Sequence, residues 1–209
     1  MASVRSVGLA LERVFPPISD EAALVAELRA GSEQAFAYLL RIYQNPVFNL
    51  VSHIVEPGTE PADVLQDVFV KVFKGIRHFH GVSSLRTWIY RIAVHEASNH
   101  RRSWLRRHRR EPFSLDDNRP GRDTTFAETP AAGESPYEAL EQAERHELLK
   151  RALASLAQPY RTVVVLRDIE DLSYEEITRV LGVAEGTVKS RLVRGRELLR
   201  RKFAAYLAR

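Results

Sequence analysis

The stretch from residue 172 to residue 201, LSYEEITRVLGVAEGTVKSRLVRGRELLRR, ends in a segment rich in cationic side chains. Lys and Arg donate hydrogen bonds to guanine O6 and N7, Ser bonds a base edge or a phosphate, and Val contacts the methyl group of thymine. This set indicates a surface that binds DNA; the plain alternative is a solvated basic face of a surface helix. The side chains expected to face outward here are Thr187, Lys189, Ser190, Arg191, Val193, Arg194 and Arg196.

Two features of the same stretch predict how this surface is positioned. Ser173 followed by Glu176 forms a capping-box pattern, in which each side chain accepts a hydrogen bond from the backbone N–H of the other residue. A helix therefore begins there, and Gly182 ends it in a left-handed conformation. A second helix begins near Glu185, so the sequence predicts a helix-turn-helix, whose second helix enters the major groove. The positions expected to face inward are Val188, Leu192, Leu198 and Leu199.

Two residues of the second helix depart from the usual pattern. Ala184 stands where Ser or Asp would cap the helix, and the loss of such a cap costs about 1 kcal/mol. Gly195 stands inside the helix where Ala is expected, which costs about 1 kcal/mol of helix propensity. We therefore expect this helix to depend on packing against its neighbours.

A second candidate surface lies between Phe79 and Arg110, in the sequence FHGVSSLRTWIYRIAVHEASNHRRSWLRRHRR. A short loop with one glycine and two serines leads into a helix with aromatic residues, which ends in a cluster of arginines. Aromatic side chains among polar residues, followed by arginines, suit a surface that stacks unpaired bases and follows a phosphate backbone. Trp88 is expected in the core instead, because it is in helical register with Leu85 and Ile89.

A third candidate surface is the polar side of the segment EPADVLQDVFVKVFKGI, residues 60 to 76. Its apolar positions recur at helical spacing, and Pro61 lies in the first turn, so it predicts an amphipathic helix. The polar side carries Asp63, Gln66 and Asp67. Acidic residues in the first turn complement the helix dipole, so the pattern alone favours an ordinary solvated face.

Composition restricts the class of protein. The chain has 209 residues, 44% of them hydrophobic, and a formal net charge of +4. It contains no cysteine, which excludes disulfide bonds and thiolate metal sites and fits a reducing compartment. We see no Gly-rich phosphate loop and no H-E-x-x-H spacing, so neither a cofactor, a metal site nor an enzyme is predicted. No segment has the length and apolarity of a signal peptide or a membrane span, and a cytoplasmic location is expected.

The chain divides into two helical parts. Helical spacing of apolar residues recurs nearly throughout, and the β-branched run TVVVLRDI, residues 162 to 169, is assigned to a helix because a lone strand would have no partner. Between residues 111 and 136 the sequence carries four prolines and few large apolar residues, which indicates a disordered linker. We predict an all-α fold of two small helical domains, 20–110 and 137–209, joined by this linker and preceded by a tail, 1–19.

The order of these motifs resembles one family. DVLQDVFVKVF, then LRTWIYRIAVHEASNHRR, then the linker and LSYEEITRVLGVAEGTVKSRLVRGRELLR are similar to the extracytoplasmic-function class of bacterial sigma factors, in its minimal two-domain form. Two separate motif blocks agree in order and spacing, which makes the resemblance specific. It implies a subunit without catalytic activity that binds core RNA polymerase, recognises the minus-35 and minus-10 promoter elements and promotes strand opening.

The resemblance implies a role for each candidate surface. The acidic helix binds the clamp helices of the polymerase β′ subunit, and the β flap is a further contact on the core enzyme. The residues implied at the clamp helices are Asp63, Gln66 and Asp67. Those implied at the minus-10 element are Phe79, His80, Ser83, Ser84, His95, Asn99 and Arg102. Those implied at the minus-35 element are Thr187, Lys189, Ser190, Arg191, Val193 and Arg194.

Further expectations accompany the resemblance. An anti-sigma factor is an expected partner, and promoter DNA is the expected ligand. His95 falls where many relatives carry Asn, and an imidazole offers a different pattern of donors and acceptors, so the family's base preference does not transfer. A plain structural role is the alternative for His95.

Two other functions are compatible with the motifs taken singly. A stand-alone helix-turn-helix regulator would bind duplex DNA without polymerase, but such regulators usually dimerise and the sequence contains no obvious dimerisation helix. A nuclease would need a catalytic cluster, for which the positions of the carboxylates and histidines give little support.

Overall fold

The computed structural model of the protein describes the backbone of residues 20–56, 58–108 and 136–207, and the side chains of residues 20–56, 58–106 and 144–204. Within these ranges every regular element is a helix, which confirms the predicted all-α fold. The N-terminal domain contains α1 (Glu21–Ala30), α2 (Glu33–Ile54), α3 (Pro61–Gly75), a 3-10 turn (Ile76–His78) and α4 (Leu85–His108). The C-terminal domain contains α5 (Pro136–Ala154), α6 (Gln158–Val164), a π-helical turn (Val165–Ile169), α7 (Tyr174–Leu181) and α8 (Glu185–Leu207).

Local sequence sets the junction between the first two helices. Asp20 Oδ1 accepts a hydrogen bond from Ala23 N at 3.0 Å, and Ser32 Oγ accepts one from Ala35 N at 3.3 Å. Each side chain satisfies a backbone donor that has no partner inside its helix. Gly31 lies between the helices with φ at 82°, in the left-handed region. The chain therefore reverses within two residues and brings α1 onto α2.

The core of the N-terminal domain forms where α3 and α4 pack against α2 and against each other. Leu39 and Leu50 of α2, Val68 of α3 and Leu85 and Ile89 of α4 are fully buried. Each such side chain contributes about 1.5–3 kcal/mol by leaving water. These contacts leave the polar faces of α3 and α4 turned outward.

The β-branched run at residues 162–169 is helical, as the sequence analysis predicts. Its first part ends α6, and its second part is the π-helical turn, followed by a hydrogen bond from Glu170 N to Val165 O at 3.0 Å. Val163, Val165 and Leu166 are fully buried. The run forms the centre of the C-terminal core, where tertiary packing overrides its intrinsic preference for a strand.

Gly195 permits a close approach between α8 and α6. A Cβ atom at this position would lie 2.7 Å from Cγ2 of Val164 and 3.3 Å from the backbone oxygen of Tyr160. Neither atom belongs to the end of a long, flexible side chain that can swing aside. The glycine, which the sequence analysis treats as a cost to the helix, is thus required by the contact between these two helices.

The two domains are in direct contact through a buried carboxylate. Tyr90 of α4 donates its hydroxyl to Oε2 of Glu170 at 2.6 Å, and Arg86 Nη2 donates to the Glu170 backbone oxygen at 2.7 Å. Glu170 is only 8% exposed, and its burial raises the pKa of the carboxyl despite these two partners. Burial, followed by the bond to Glu170, also raises the pKa of Tyr90. The contact therefore joins α4 to the residue that follows the π-helical turn.

A second contact between the domains is made by Arg161 of α6. Its side chain is 2% exposed, and Nη1 donates to the backbone oxygens of Ile54 at 3.3 Å and Val55 at 2.9 Å. Nη2 donates to the backbone oxygens of Ala154 at 2.9 Å and Leu156 at 3.0 Å. One guanidinium therefore satisfies carbonyls at the C-terminal ends of α2 and α5, where helices leave such groups without partners.

No local sequence pattern predicts the contact between the two domains. The predicted tail, residues 1–19, and the predicted linker up to residue 135 lie outside the described residues. Helix α5 already begins at Pro136, the last residue assigned to the linker. The exact domain boundaries stay a prediction.

The close packing at Gly195 generates a stability prediction. Overpacking of this kind costs about 1–3 kcal/mol, while Ala gains up to about 1 kcal/mol of helix propensity over Gly. We expect Gly195→Ala to lower the free energy of unfolding of the full chain, measured by urea denaturation.

Gly186 supplies the matched control, because it lies in the same helix and a Cβ atom added there would have no neighbouring atom within 4 Å. Gly186→Ala should raise the free energy of unfolding by up to about 1 kcal/mol. Equal effects of the two substitutions would contradict the steric role of Gly195.

Candidate nucleic-acid interface

The helix-turn-helix is built as the sequence predicts. Ser173 Oγ accepts from Glu176 N at 3.2 Å, and Ser173 N donates to Glu176 Oε2 at 2.8 Å, which completes the capping box. Gly182 ends α7 with φ at 64°. Val188 and Leu192 of α8 are buried against the domain core. We call α8 the recognition helix. Its buried inner face fixes the orientation of its outer face.

The recognition helix presents most of the predicted residues to solvent. Val193 is 69% exposed, so its side chain is available for contact with a ligand. Lys189 pairs with Glu185 at 2.6 Å, and Arg194 pairs with Glu197 at 3.0 Å. Exposed pairs of this kind contribute little to stability, so phosphate or base groups can replace their carboxylates. Ser190 and Arg194 are exposed, and Thr187 and Arg191 are half-buried.

Arg196 is exposed, as predicted, and it also anchors the recognition helix to its own domain. Its Nε donates to Oδ2 of Asp168 at 3.0 Å, and Nη2 donates to the other carboxylate oxygen. The Asp168 carboxylate raises the pKa of this guanidinium. This two-point contact joins α8 to the π-helical turn.

The loop before α4 is held by buried and capping contacts. Phe79 is 4% exposed, its ring centroid lies 5.2 Å from that of Trp88, and its backbone oxygen accepts from Arg29. Phe79 therefore supports the loop from inside, and its assignment to the minus-10 element stays a prediction. Ser84 Oγ accepts from Thr87 N at 3.2 Å and so caps α4. Of the predicted loop residues, His80 and Ser84 are exposed and Ser83 is half-buried.

Three predicted residues lie on one side of α4. His95 is 65% exposed at its side chain, Asn99 follows one turn later, and Arg102 Nη2 donates to Asn99 Oδ1 at 2.6 Å. Together with His80, Ser83 and Ser84 they form what we call the α4 surface. Arg101, from the same arginine cluster, instead donates to Glu56 at 2.9 Å. Its Nη1 also donates to Oε1 of Gln158 on α6 at 3.0 Å, so part of the cluster holds the domains together.

The acidic helix α3 exposes the three residues that the sequence analysis singled out. Asp63, Gln66 and Asp67 lie on its outer face, and Asp67 Oδ2 is 2.8 Å from Nε2 of His100 on α4. We call these three residues the acidic stripe. Phe73 continues the same face about two turns later, is 61% exposed, and its ring centroid lies 4.7 Å from that of Phe36 on α2.

Sequence reasoning missed the apolar end of this face. Phe73 fits the helical spacing of apolar residues in this segment, yet it and Val70 are both exposed. Helical spacing alone does not distinguish them from core positions, because α2 covers only part of the apolar side of α3. In the part of the chain that the structure describes, no group of three or more His, Cys, Asp or Glu residues is placed to hold a metal ion. No described helix is long and apolar enough to cross a membrane.

Comparison with known proteins identifies the family. Two family models match, Sigma-70 region 2 at residues 39–111 and Sigma-70, region 4 at residues 146–199. The RNA polymerase sigma-H factor of Pseudomonas aeruginosa is 35% identical over 179 residues, which cover 84% of this chain and 90% of that protein. The ECF RNA polymerase sigma-E factor of Escherichia coli K12 is 34% identical over 192 residues, 89% of this chain and 95% of that protein. The chain belongs to the extracytoplasmic-function sigma factors.

Two solved structures have a similar fold. One is CnrH in complex with the cytosolic domain of CnrY, with a TM-score of 0.61, 22% identity, and coverage of 90% of this chain and 99% of that chain. The other is the sigma factor RpoE in complex with the anti-sigma factor NepR from Bartonella quintana, with a TM-score of 0.56, 25% identity, and coverage of 79% and 94%. This sigma factor gives bacterial RNA polymerase its promoter specificity, and it is a DNA-binding regulatory subunit.

The three surfaces lie in the two regions that the family models match. Region 2 contains the acidic stripe and the α4 surface, and region 4 contains the recognition helix. The surfaces predicted from the resemblance thus fall in the regions to which the family models align.

Proposed function

We propose that this sigma factor divides promoter recognition between its two domains. The recognition helix reads the minus-35 element as duplex DNA, the α4 surface captures an unpaired base of the minus-10 element, and the acidic stripe binds the clamp helices of β′. The observation that carries the proposal is the outer face of the recognition helix. It presents the exposed Val193 and cations in weak, exposed ion pairs, on a helix that is held in place by its buried side.

Base reading in the major groove is the role proposed for α8. Arg191 and Arg194 have the donor geometry for guanine O6 and N7, and Val193 has the apolar surface for a thymine methyl group. Thr187, Lys189 and Ser190 suit phosphates and base edges. Because α8 is anchored by buried residues and by Arg196, these side chains meet DNA from a rigid base, which reduces the entropy lost on binding.

Capture of an unstacked base is the role proposed for the α4 surface. Unstacking costs a few kcal/mol per base, so the site must offer hydrogen bonds that are ready beforehand. His95 and Asn99 provide them, Arg102 provides a positive charge for phosphate, and His80, Ser83 and Ser84 provide a polar loop beside them. Phe79 acts indirectly, as the buried support of that loop.

Binding to core polymerase is the role proposed for α3. The acidic stripe supplies charge that orients the partner, and the adjacent exposed rings and aliphatic side chains supply area that can be desolvated on contact. The exposed apolar residues of this face are Val70 and Phe73. A partner with basic side chains beside an apolar groove fits such a face.

Promoter binding requires the domains to separate. The minus-10 and minus-35 elements are about 25 base pairs apart, which is about 85 Å of duplex at 3.4 Å per base pair. A compact domain of about 80 residues is roughly 30 Å across, so two domains in contact span no more than roughly 60 Å. The residues between His108 and Pro136, roughly 27, can reach about 90 Å when extended. We propose that the contacts at Glu170 and Arg161 open on the polymerase.

An anti-sigma protein is a proposed partner, because the solved RpoE of Bartonella quintana, with 25% identity, is bound to one. A cytoplasmic location is proposed with it, since the polymerase and the promoter are there.

Promoter-directed initiation tests the function and the assignment of α8. Mapping RNA 5′ ends after expression of the chain should identify its promoters, and purified core enzyme plus the chain should initiate at them in vitro. Arg191→Ala should lower discrimination between minus-35 variants by about 1–3 kcal/mol, because a base contact is lost.

Arg200→Ala is the matched control for this experiment. Residue 200 is exposed in the same helix, nine residues on and hence on the opposite side, so discrimination should not change. Tight, specific binding of duplex DNA without core enzyme, and no initiation with it, would support a stand-alone regulator and overturn the proposal.

Charge reversal on the acidic stripe tests core binding. Asp67→Arg should weaken the affinity for core polymerase at least tenfold by repelling the basic side chains of the clamp helices, while the thermal melting of the chain changes little. The affinity is measured by fluorescence anisotropy with labelled chain.

Glu27→Arg, an equal change of charge at an exposed position of α1, is the control and should leave core affinity unaltered. Identical affinities for the two variants would remove the acidic stripe from the interface.

Domain separation is measurable because the chain has no cysteine of its own. Dyes on Ala30→Cys and Lys202→Cys, both exposed and in different domains, should transfer energy efficiently in the free chain. We expect a large loss of transfer in the complex with core enzyme and promoter DNA.

A pair within one domain, Ala30→Cys with Asn49→Cys, should show no such change. Unaltered transfer between the domains in an initiation-competent complex would contradict the opening.

A further inference from the structure

A buried carboxylate lies directly beneath the α4 surface. The side chain of Glu96 is 6% exposed, although its neighbour His95 is 65% exposed. Glu is almost never buried without partners. Here three donors converge on a single oxygen, Oε1: Lys71 Nζ at 2.6 Å, His95 Nδ1 at 3.1 Å and Asn99 Nδ2 at 3.1 Å. Two of these donors belong to residues proposed to contact DNA.

The charge state of Glu96 follows from this environment. Burial alone would raise the pKa of the carboxyl, but the hydrogen bonds from Lys71 and His95 outweigh it and hold the pKa below its usual range. Glu96 is therefore ionised at neutral pH and can only accept hydrogen bonds.

An ionised Glu96 determines which nitrogen of His95 carries the proton. The 3.1 Å contact is a hydrogen bond only if Nδ1 carries a hydrogen and donates it. Asn99 Nδ2 is also 3.2 Å from this nitrogen, but a protonated Nδ1 cannot accept, so the amide donates to Glu96 instead. In the neutral ring Nε2 is then left with its lone pair, as an acceptor.

The orientation of Asn99 is determined in the same way. Its NH₂ group donates to Glu96, and its Oδ1 accepts from Arg102 Nη2 at 2.6 Å, which leaves a further lone pair on that oxygen. Glu96 and Arg102 thus hold the amide from two sides. Glu96 makes His95 offer an acceptor and, together with Arg102, makes Asn99 offer one.

We infer that Glu96 is a positioning residue that sets the base preference of the α4 surface, by presenting His95 Nε2 and Asn99 Oδ1 as acceptors that select a base with an exocyclic amino group. Adenine, cytosine and guanine all carry such a group, whereas the one donor of thymine is flanked by two carbonyl oxygens that repel these acceptors. The inference rests on the proposed capture of a minus-10 base. Glu96 itself does not touch the base.

Alternative roles for Glu96 make different predictions. If the carboxylate only ties α3 to α4 through Lys71, its loss would alter stability but neither the His95 tautomer nor the base preference. If His95 has only a structural role and does not contact DNA, the base preference of initiation would not depend on its tautomer.

The first measurement uses the full chain without DNA. Long-range ¹H–¹⁵N spectra, recorded at a pH where the ring is neutral, should show the His95 signal of a ring protonated at Nδ1 with a bare Nε2. Glu96→Ala should shift the signal to the tautomer protonated at Nε2, and Glu96→Gln, which keeps an oxygen acceptor, should restore much of the original form. A ring protonated at Nε2 in the unaltered chain would overturn the inference, whether or not any variant folds.

The second measurement uses holoenzyme and templates that carry A, C, G or T at each minus-10 position of a mapped promoter. Initiation should favour an amino base over T by about tenfold at one position, the scale of a well-placed pair of hydrogen bonds. Glu96→Ala should reduce this ratio to near one, and Glu96→Gln should retain most of it.

The outcomes separate the inference from the proposed function. An unchanged ratio for Glu96→Ala, in a holoenzyme that still initiates, would overturn the positioning role and leave the sigma-factor function intact. No initiation by the unaltered chain on any template would instead overturn the proposed division of promoter recognition, and the inference with it.

Discussion

The guanidinium of Arg161 is the interaction on which the arrangement of the two domains depends. It is buried, and it satisfies backbone carbonyls from α2 and from the segment after α5 at once. Separating the domains exposes this cation to water but removes two of its carbonyl partners, and the Glu170 contact with Tyr90 is lost as well. Breaking a buried charge network costs several kcal/mol when a partner stays buried, and less when water replaces it. The closed form is therefore stable, yet it can open where a larger binding energy is available.

The exposed residues proposed to read DNA and the buried residues that hold the helices in place are separate sets with different energetics. The side chains of the recognition helix are held by exposed pairs such as Lys189 with Glu185, which DNA phosphates can replace at little cost. The side chains that fix α8 in place are buried or, like Arg196, bound at two points. The recognition helix is thus held rigidly on its inner side, whereas the ion pairs on its outer side can be exchanged for contacts with DNA.

Much of this organisation could be predicted from the sequence because it is local. The capping box at Ser173, the turn at Gly182 and the apolar stripe through Val188 are set by residues within one or two turns of each other. The contact between domains joins residues about 80 or more positions apart, and neither Tyr90 nor Glu170 differs in sequence from an ordinary helical residue. Phe79 looked like a loop aromatic, although Trp88 covers it. From the sequence, Gly195 only lowers helix propensity. The close approach of Val164, which explains the glycine, is visible only in the structure.

The π-helical turn at Val165–Ile169 sets the direction of two side chains that make contacts outside α6, those of Asp168 and Glu170. A π-helical turn holds one residue more than an α-helical turn, so the residues at its end are rotated by about 100° relative to a continuous α-helix. Glu170 follows this turn immediately and is directed at Tyr90, while Asp168 within it is directed at Arg196. Loss of a single residue here would therefore change the direction of both side chains at once, and with it the contacts to Tyr90 and Arg196. The position of the C-terminal domain against α4 therefore depends on the number of residues in this one turn.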